Sequence, residues 1–183
     1  MTWSGIIIFC FLRCSEFTYQ GVLKFCPQFD LSADCVLFHP SLASLQQMSI
    51  ILKSSKTLFF REGHRLLIAF SPSPLCAVSA MHSYFLAACP RGPLFSFQSS
   101  WYLTRSAVVH LRDSARCAGL PYKSLKGHSF RIGAASTAAA AGLPNWLIKV
   151  LGRWSSNCYQ LYICTPKNVL MSPAPCMANV LVS

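Results

Sequence analysis

The uncharged apolar run that opens the chain, Thr2 to Leu12, is about half the roughly 20 residues that a membrane-spanning helix needs. With 53% hydrophobic residues over 183 positions, the apolar side chains must therefore be gathered by folding back on one another. A chain of this length can bury a real core as one domain. Thr2 to Leu12 also makes a poor signal peptide, because no positive residue precedes it and no small-x-small cleavage site comes after it. The apolar start and a mean hydropathy of +0.42 keep a small membrane-associated protein as one competing reading.

Charge narrows the partners. Sixteen Lys and Arg against five Asp and Glu leave a formal charge of +11, and the cations are spread from Arg13 to Lys167 rather than gathered in a tail. That distribution suits a folded basic surface for a polyanion, since neutralising each phosphate releases condensed counterions. The ten cysteines include no C-x-x-C pair and are spaced irregularly. They read as buried reduced thiols, and no metal site is indicated.

Local patterns predict a mainly α, α+β domain with one small antiparallel β-hairpin or sheet. Residues 3–20 read as a helix. Residues 47–53 and 64–70 are β-rich runs joined by a loop that ends in Gly63, which predicts a hairpin. A helix is expected at 75–88, after Pro72 and Pro74. Thr104 stands as an N-cap for a helix from Arg105 to about Ala118, with Gly119 as its stop. Alanine-rich residues 129–141 form a helix closed by Gly142, and Pro144 opens the next, 144–151, stopped by Gly152. A last short helix runs from Ser155 or Ser156 to about Cys164, and the remainder reads as irregular.

The chemistry concentrates in His128-Ser129-Phe130-Arg131-Ile132-Gly133, Leu151-Gly152-Arg153-Trp154 and Tyr162-Ile163. A spacing of three places His128 and Arg131 on neighbouring positions of one helix face, where both can reach one phosphate. A phenol is a weak nucleophile at neutral pH unless a base or a positive field assists its deprotonation. Nearby arginines supply that field and also offset charge in a transition state. Tyr159 rivals Tyr162, and spacing alone does not separate them.

These stretches resemble the second signature of tyrosine recombinases, in which H-x-x-R precedes a G-[HW] element and then the nucleophilic tyrosine. HSFRIGAAS, LGRWSS and YI are most similar in style to DIRS-type and Crypton-type mobile-element recombinases. Phe11-Leu12-Arg13-Cys14-Ser15-Glu16 resembles the first signature, and Ser54-Ser55-Lys56-Thr57 falls where the family carries its hairpin lysine, with Lys53 as a near competitor.

The resemblance implies site-specific recombination or integration of double-stranded DNA through a 3′-phosphotyrosyl intermediate. Arg13 and Arg131 would clamp the scissile phosphate. Lys56 would protonate the departing 5′-oxygen, and His128 would assist proton movement. Trp154 stands where other members have histidine; its indole donates a hydrogen bond but cannot act as a base. Tyr162 would be the nucleophile. Neither cofactor nor metal is implied, assembly is expected as a homotetramer on paired sites, and the nucleus is the expected compartment. On this reading residues 1–165 form the catalytic domain without the family's N-terminal helical domain, and 166–183 form an irregular tail. The alternative is a catalytically inactive DNA-binding remnant. Leu58, where an aspartate is expected, and the apolar stretch Cys35 to Phe38 depart from the family's pattern.

Overall fold

The computed structural model describes residues 10–21, 24–41, 43–54, 63–88, 90–97 and 101–163, with the backbone only at 101–102, 107–108, 110–111 and 162. The chain divides into two compact units, Met1–Phe130 and Arg131–Ser183.

The first unit is built on a three-stranded antiparallel sheet in the order β1 (Val36–Pro40), β2 (Leu45–Leu52), β3 (His64–Ala69). Strand β2 is central and the most buried of the three. Met48, Ile50 and Leu52 point to one face and are fully buried, as a period of two requires. Ile50 pairs with Val36 on one side and Leu66 on the other, so three apolar rows meet in register. Helix α2 (Ala77–Ala88) supplies Val78 and Met81 to the same core, three residues apart on one face. Phe38 sets its ring edge-on to Phe85 with centroids 5.4 Å apart.

Strands β2 and β3 and helix α2 match the sequence expectation closely; β1 was not anticipated. The apolar stretch Cys35–Phe38 buries Cys35 and Val36, leaves Leu37 exposed and packs Phe38 on the core. Pro40 is tolerated because β1 is an edge strand, where a missing N–H costs no ladder bond. A second two-stranded ribbon, β4 (Ser96–Phe97) with β5 (Trp101–Tyr102), was likewise unexpected.

The helix expected over 3–20 is corrected. Positions 3–9 lie outside the described residues. The chain then turns at Cys10 and Phe11 and forms only helix α1 (Cys14–Phe17). Phe11 sits at φ +50°, which a continuous right-handed helix cannot contain. Beyond Thr18 the chain is drawn out to pair elsewhere. The Tyr19 N–H donates to the Leu103 carbonyl at 3.0 Å, and the Arg105 N–H donates to the Tyr19 carbonyl at 3.1 Å. The same pairing shifts the start of α3 (Ala107–Cys117) two residues beyond Arg105, because Thr104 and Arg105 are engaged with Tyr19.

Helix α4 (Ser129–Ala140) begins in the first unit and continues in the second. Ala134, Ala135 and Ala138 form its buried face. Gly142, at φ +76°, ends it in the left-handed conformation that glycine adopts without penalty. Helix α5 (Asn145–Leu151) comes next, with Pro144 at the N-cap rather than inside. The last element, Asn157–Tyr162, is a 3₁₀ helix rather than the α-helix expected over 155–164, and residues from 164 lie outside the described set. No helix among the described residues is long and apolar enough to cross a membrane.

Candidate active site

Arg13 stands immediately before α1, in extended conformation (φ −76°, ψ 148°). Glu16 reaches back across the first turn. One carboxylate oxygen accepts from the Arg13 backbone N–H at 2.7 Å and the other from Arg13 Nη1 at 3.0 Å. Capping and ion pairing are thus done by one side chain, and Glu16 is itself buried. A carboxylate at a helix start also complements the exposed amide dipoles.

His128 belongs to the same unit. A Cβ placed on Gly127 would lie 3.1 Å from the Cys14 Cβ, and the Phe130 ring meets the Phe17 ring edge-on at 5.7 Å. Contacts on both sides of His128 therefore hold its segment against α1, next to which Arg13 sits. The imidazole itself is exposed.

Lys56, assigned from the resemblance as the proton donor, lies outside the described residues. Its competitor Lys53 is fully described and fully engaged. Lys53 Nζ donates to the Pro27 carbonyl at 2.8 Å, to Ser32 Oγ at 2.8 Å and to Asp34 Oδ2 at 3.0 Å. Three acceptors use all three ammonium protons. Desolvation by partial burial pulls the Lys53 pKa down, but the hydrogen bond to Asp34 and the proximity of the Cys35 side chain and the Asp34 carboxylate outweigh it and hold the pKa above the ordinary lysine value. The Asp34 carboxyl is held low by its hydrogen bonds from Ser32 and Lys53. A lysine whose proton is held more firmly than usual is poorly suited to giving it up.

The second unit builds around Arg131. It lies in the first turn of α4 and is 6% exposed. Its Nη2 donates to the Gly152 carbonyl. Its guanidinium carbon lies 4.3 Å from the centroid of the Trp154 ring, a cation–π stack. Trp154 in turn lies against Tyr159, with centroids 5.7 Å apart and planes tilted by 34°.

The backbone that delivers Trp154 is a Schellman turn. The Arg153 N–H donates to the Val150 carbonyl at 2.9 Å and the Trp154 N–H to the Lys149 carbonyl at 3.1 Å. The left-handed position of this motif is normally glycine; here Arg153 fills it at φ +56°. The glycine stands one residue earlier for another reason. A Cβ on Gly152 would overlap Trp154 Cζ3 and Cε3, so the indole occupies the space that any side chain would need.

Tyr159 is 3% exposed and serves as packing. Tyr162 is placed by its backbone alone, as the last residue of the 3₁₀ turn. Of the residues singled out in the sequence, Arg13 and His128 are thus gathered on one side of the division and Arg131 and Trp154 on the other. Sequence reasoning missed the partners that hold them. Glu16 as the brace of Arg13 was legible in its spacing of three; Gly152 as the seat of the indole, and Asp34 as the anchor of Lys53, had no local signal. Among the described residues no cluster of His, Cys, Asp and Glu could hold a metal ion.

No protein-family model matches the chain, and no curated protein matches it by sequence. Solved structures do. The chain is similar to the XerA recombinase, with a TM-score of 0.63 and 17% identity, covering 91% of this chain and 52% of that one. It is similar also to the XerH site-specific recombinase bound to palindromic difH substrate in a post-cleavage complex, with a TM-score of 0.64, 16% identity and coverage of 93% and 43%. The XerH pre-cleavage complex gives 0.59, 15%, 93% and 44%. The chain spans about half, or less, of each of these proteins. The mainly helical architecture with its small antiparallel sheet is the fold of a tyrosine-recombinase catalytic domain.

Proposed function

We propose that this chain carries the catalytic domain of a tyrosine recombinase that cleaves and rejoins double-stranded DNA. The observation that carries the reading is Arg131: a buried guanidinium, held by a backbone carbonyl and an aromatic face, within a fold shared with the XerA and XerH recombinases. Burying a cation is costly unless it is braced, and a braced guanidinium is prepared for a two-oxygen grip on phosphate. The net charge of +11 and the DNA-bound state of XerH in its complexes favour DNA as the substrate.

In this mechanism the Tyr162 phenolic oxygen attacks phosphorus as the bond from phosphorus to the 5′-oxygen breaks. Arg13 and Arg131 neutralise the phosphate oxygens, which stabilises the pentacoordinate transition state and favours the phenolate. His128 takes up the phenol proton and holds a phosphate oxygen. Lys56 gives a proton to the leaving 5′-oxygen; the full engagement of Lys53 supports that choice over its neighbour. The burial of Tyr159 similarly favours Tyr162 as the nucleophile. Bond energy is kept in the phosphotyrosine, so a second 5′-hydroxyl reverses the step without ATP. The mobile-element style of the motifs makes integration in a nucleus, by a tetramer on paired sites, the fuller form of this proposal.

Covalent trapping tests it. Labelled DNA nicked near the cleavage point releases a short strand on cutting and cannot religate. The wild-type chain is expected to form a denaturation-resistant, protease-sensitive adduct that disappears with Tyr162→Phe and Arg13→Ala and persists with Tyr159→Phe. Loss with Tyr159→Phe instead moves the nucleophile. Salt-sensitive binding with no adduct leaves a DNA-binding protein without cleavage.

A further inference from the structure

We infer that Lys53 is a positioning residue: its ammonium ties the end of β2 to the segment 27–34 and so fixes the point from which the chain leads out to Lys56. The link to catalysis rests on the recombinase reading above, and the tie itself on the first unit's own geometry.

Strand β2 is held on both edges for only part of its length. On the β1 side the ladder stops at Val36 against Ile50, because the chain before β1 turns away into the 3₁₀ helix Ala33–Cys35. On the β3 side it continues, Ile51 with Arg65 and Leu52 with His64. The last residues of β2 therefore have one strand neighbour, and a strand held along one edge is free to swing about it. Lys53 takes the place of the missing ladder. Its Nζ donates to the Pro27 carbonyl, Ser32 Oγ and Asp34 Oδ2 at 2.8, 2.8 and 3.0 Å.

The anchor is itself fixed. Ser32 is buried and forms an antiparallel bridge with Pro93. On either side of it the Leu94 N–H donates to the Leu31 carbonyl and the Ala33 N–H to the Gly92 carbonyl, each at 3.0 Å. One side chain thus joins the open edge of β2 to a stretch that is already held in place.

The tie also lies beside the candidate site. Leu52, Lys53 and Ser54 line a cavity of about 220 Å³ together with Ser15 and Glu16, and Glu16 is the brace of Arg13. Lys56 comes two residues after Ser54. A misplacement of about 1 Å at a reacting group can cost on the order of a hundredfold in rate, so a bond that adds little to stability can still matter to a proton donor.

Sulfur at the leaving position separates the placement of that donor from other defects. In ordinary DNA the bond from phosphorus to the 5′-oxygen breaks and the oxygen takes a proton. With a 5′-sulfur the electron pair leaves on a thiolate, which needs no proton because thiols ionise near pH 8.5. On nicked ordinary DNA, Lys56→Met is expected to slow adduct formation about a hundredfold, and the 5′-sulfur substrate to restore it to within about threefold of wild type. Lys53→Met should lose about tenfold on ordinary DNA, recover in the same way, and add nothing to Lys56→Met in the double variant. Asp34→Asn, which keeps the cation and weakens one bond, should lose about threefold with the same recovery.

Equal slowing on both substrates, or none on either, overturns the inference. So does Lys56→Met at the wild-type rate, which makes Lys53 the donor, and so do additive losses in the double variant. A phosphate contact is a further rival. It would lower the slope of log affinity against log salt by about one in Lys53→Met, whereas a tie already neutralised by Asp34 leaves the slope unchanged.

Hydrogen exchange needs no catalysis. In Lys53→Met it should quicken at 52–54 and stay as it was at 48–50; unchanged exchange at 52–54 overturns the tie. If wild type forms no adduct on either substrate, the recombinase reading fails, while exchange still decides whether Lys53 holds the end of β2.

Discussion

Arg13 and Arg131 are held in opposite ways. Arg13 is braced by a carboxylate three residues away, within one turn of chain. Arg131 is braced by a carbonyl 21 residues away and by an aromatic ring beyond it. The first arrangement is local and charged; the second is long-range and made of shape. A local brace survives wherever its single turn forms, whereas a long-range brace exists only when α4, α5 and the turn after it are all folded. Precision at Arg131 is therefore tied to the cooperativity of its whole unit, and precision at Arg13 to one buried glutamate.

The most severe test of that contrast is Gly152→Ala. The added methyl overlaps the Trp154 ring and forces it off Arg131, at a cost of about 3 kcal/mol from overpacking and the lost stack. Urea unfolding would measure the loss, and hydrogen exchange should place it at the Arg153 and Trp154 amides while those of Glu16 and Thr18 stay protected. Exchange that accelerates equally in both places would break the comparison.

Glu16→Ala is the counterpart in the first unit. It removes a cap and an ion pair at once, for about 2 kcal/mol, and its exchange signature should be confined to the turn at Arg13. Arg153→Gly should instead strengthen the second unit by about 0.5 kcal/mol, because the relief of a left-handed side chain slightly exceeds the added freedom of the unfolded chain. A lower urea midpoint would show that the Arg153 side chain contributes more than its backbone costs.

The smallest effect is expected at Lys53. Its raised pKa means that its contribution is present below the ordinary lysine value of 10.5 and is lost as pH rises through the folded value. The lowered Asp34 pKa gives the mirror image, with stability present above 3.8 and lost as pH falls through the folded value. Asp34 is largely exposed, so solvent screening keeps the whole pair under about 1 kcal/mol. Melting temperature against pH, for wild type and Lys53→Met, should diverge slightly at neutrality and converge as pH rises through the folded Lys53 value. Identical curves throughout would show that the three bonds of Lys53 contribute nothing net.

Legibility in the sequence divides along the same line between local and distant causes. The central strand announced itself by Met48, Ile50 and Leu52 at alternate positions, and α4 and α5 by their alanines and by Gly142 and Pro144. Those signals lie within the segments they specify. Helix 3–20 misled because apolar content does not report the backbone. Phe11 lies at φ +50°, and Tyr19 is drawn to Leu103, a partner far along the chain that no local pattern names. Strand β1 hid behind Pro40, which is unfavourable in a strand unless that strand is at an edge. At the candidate site the motif residues were visible as types and spacings, but their braces were not: nothing in the local sequence around Gly152 reveals that an indole two residues on will lie across it.

That last contact has a consequence for how such a chain can change over generations. Gly152 and Trp154 are not two independent letters. While the indole stays, no side chain at 152 is admissible; once the indole is replaced by something smaller, the ban on a Cβ lifts and Gly152 is free to drift. The pair is therefore inherited as one choice, and a path from this arrangement to another must pass through position 154 first.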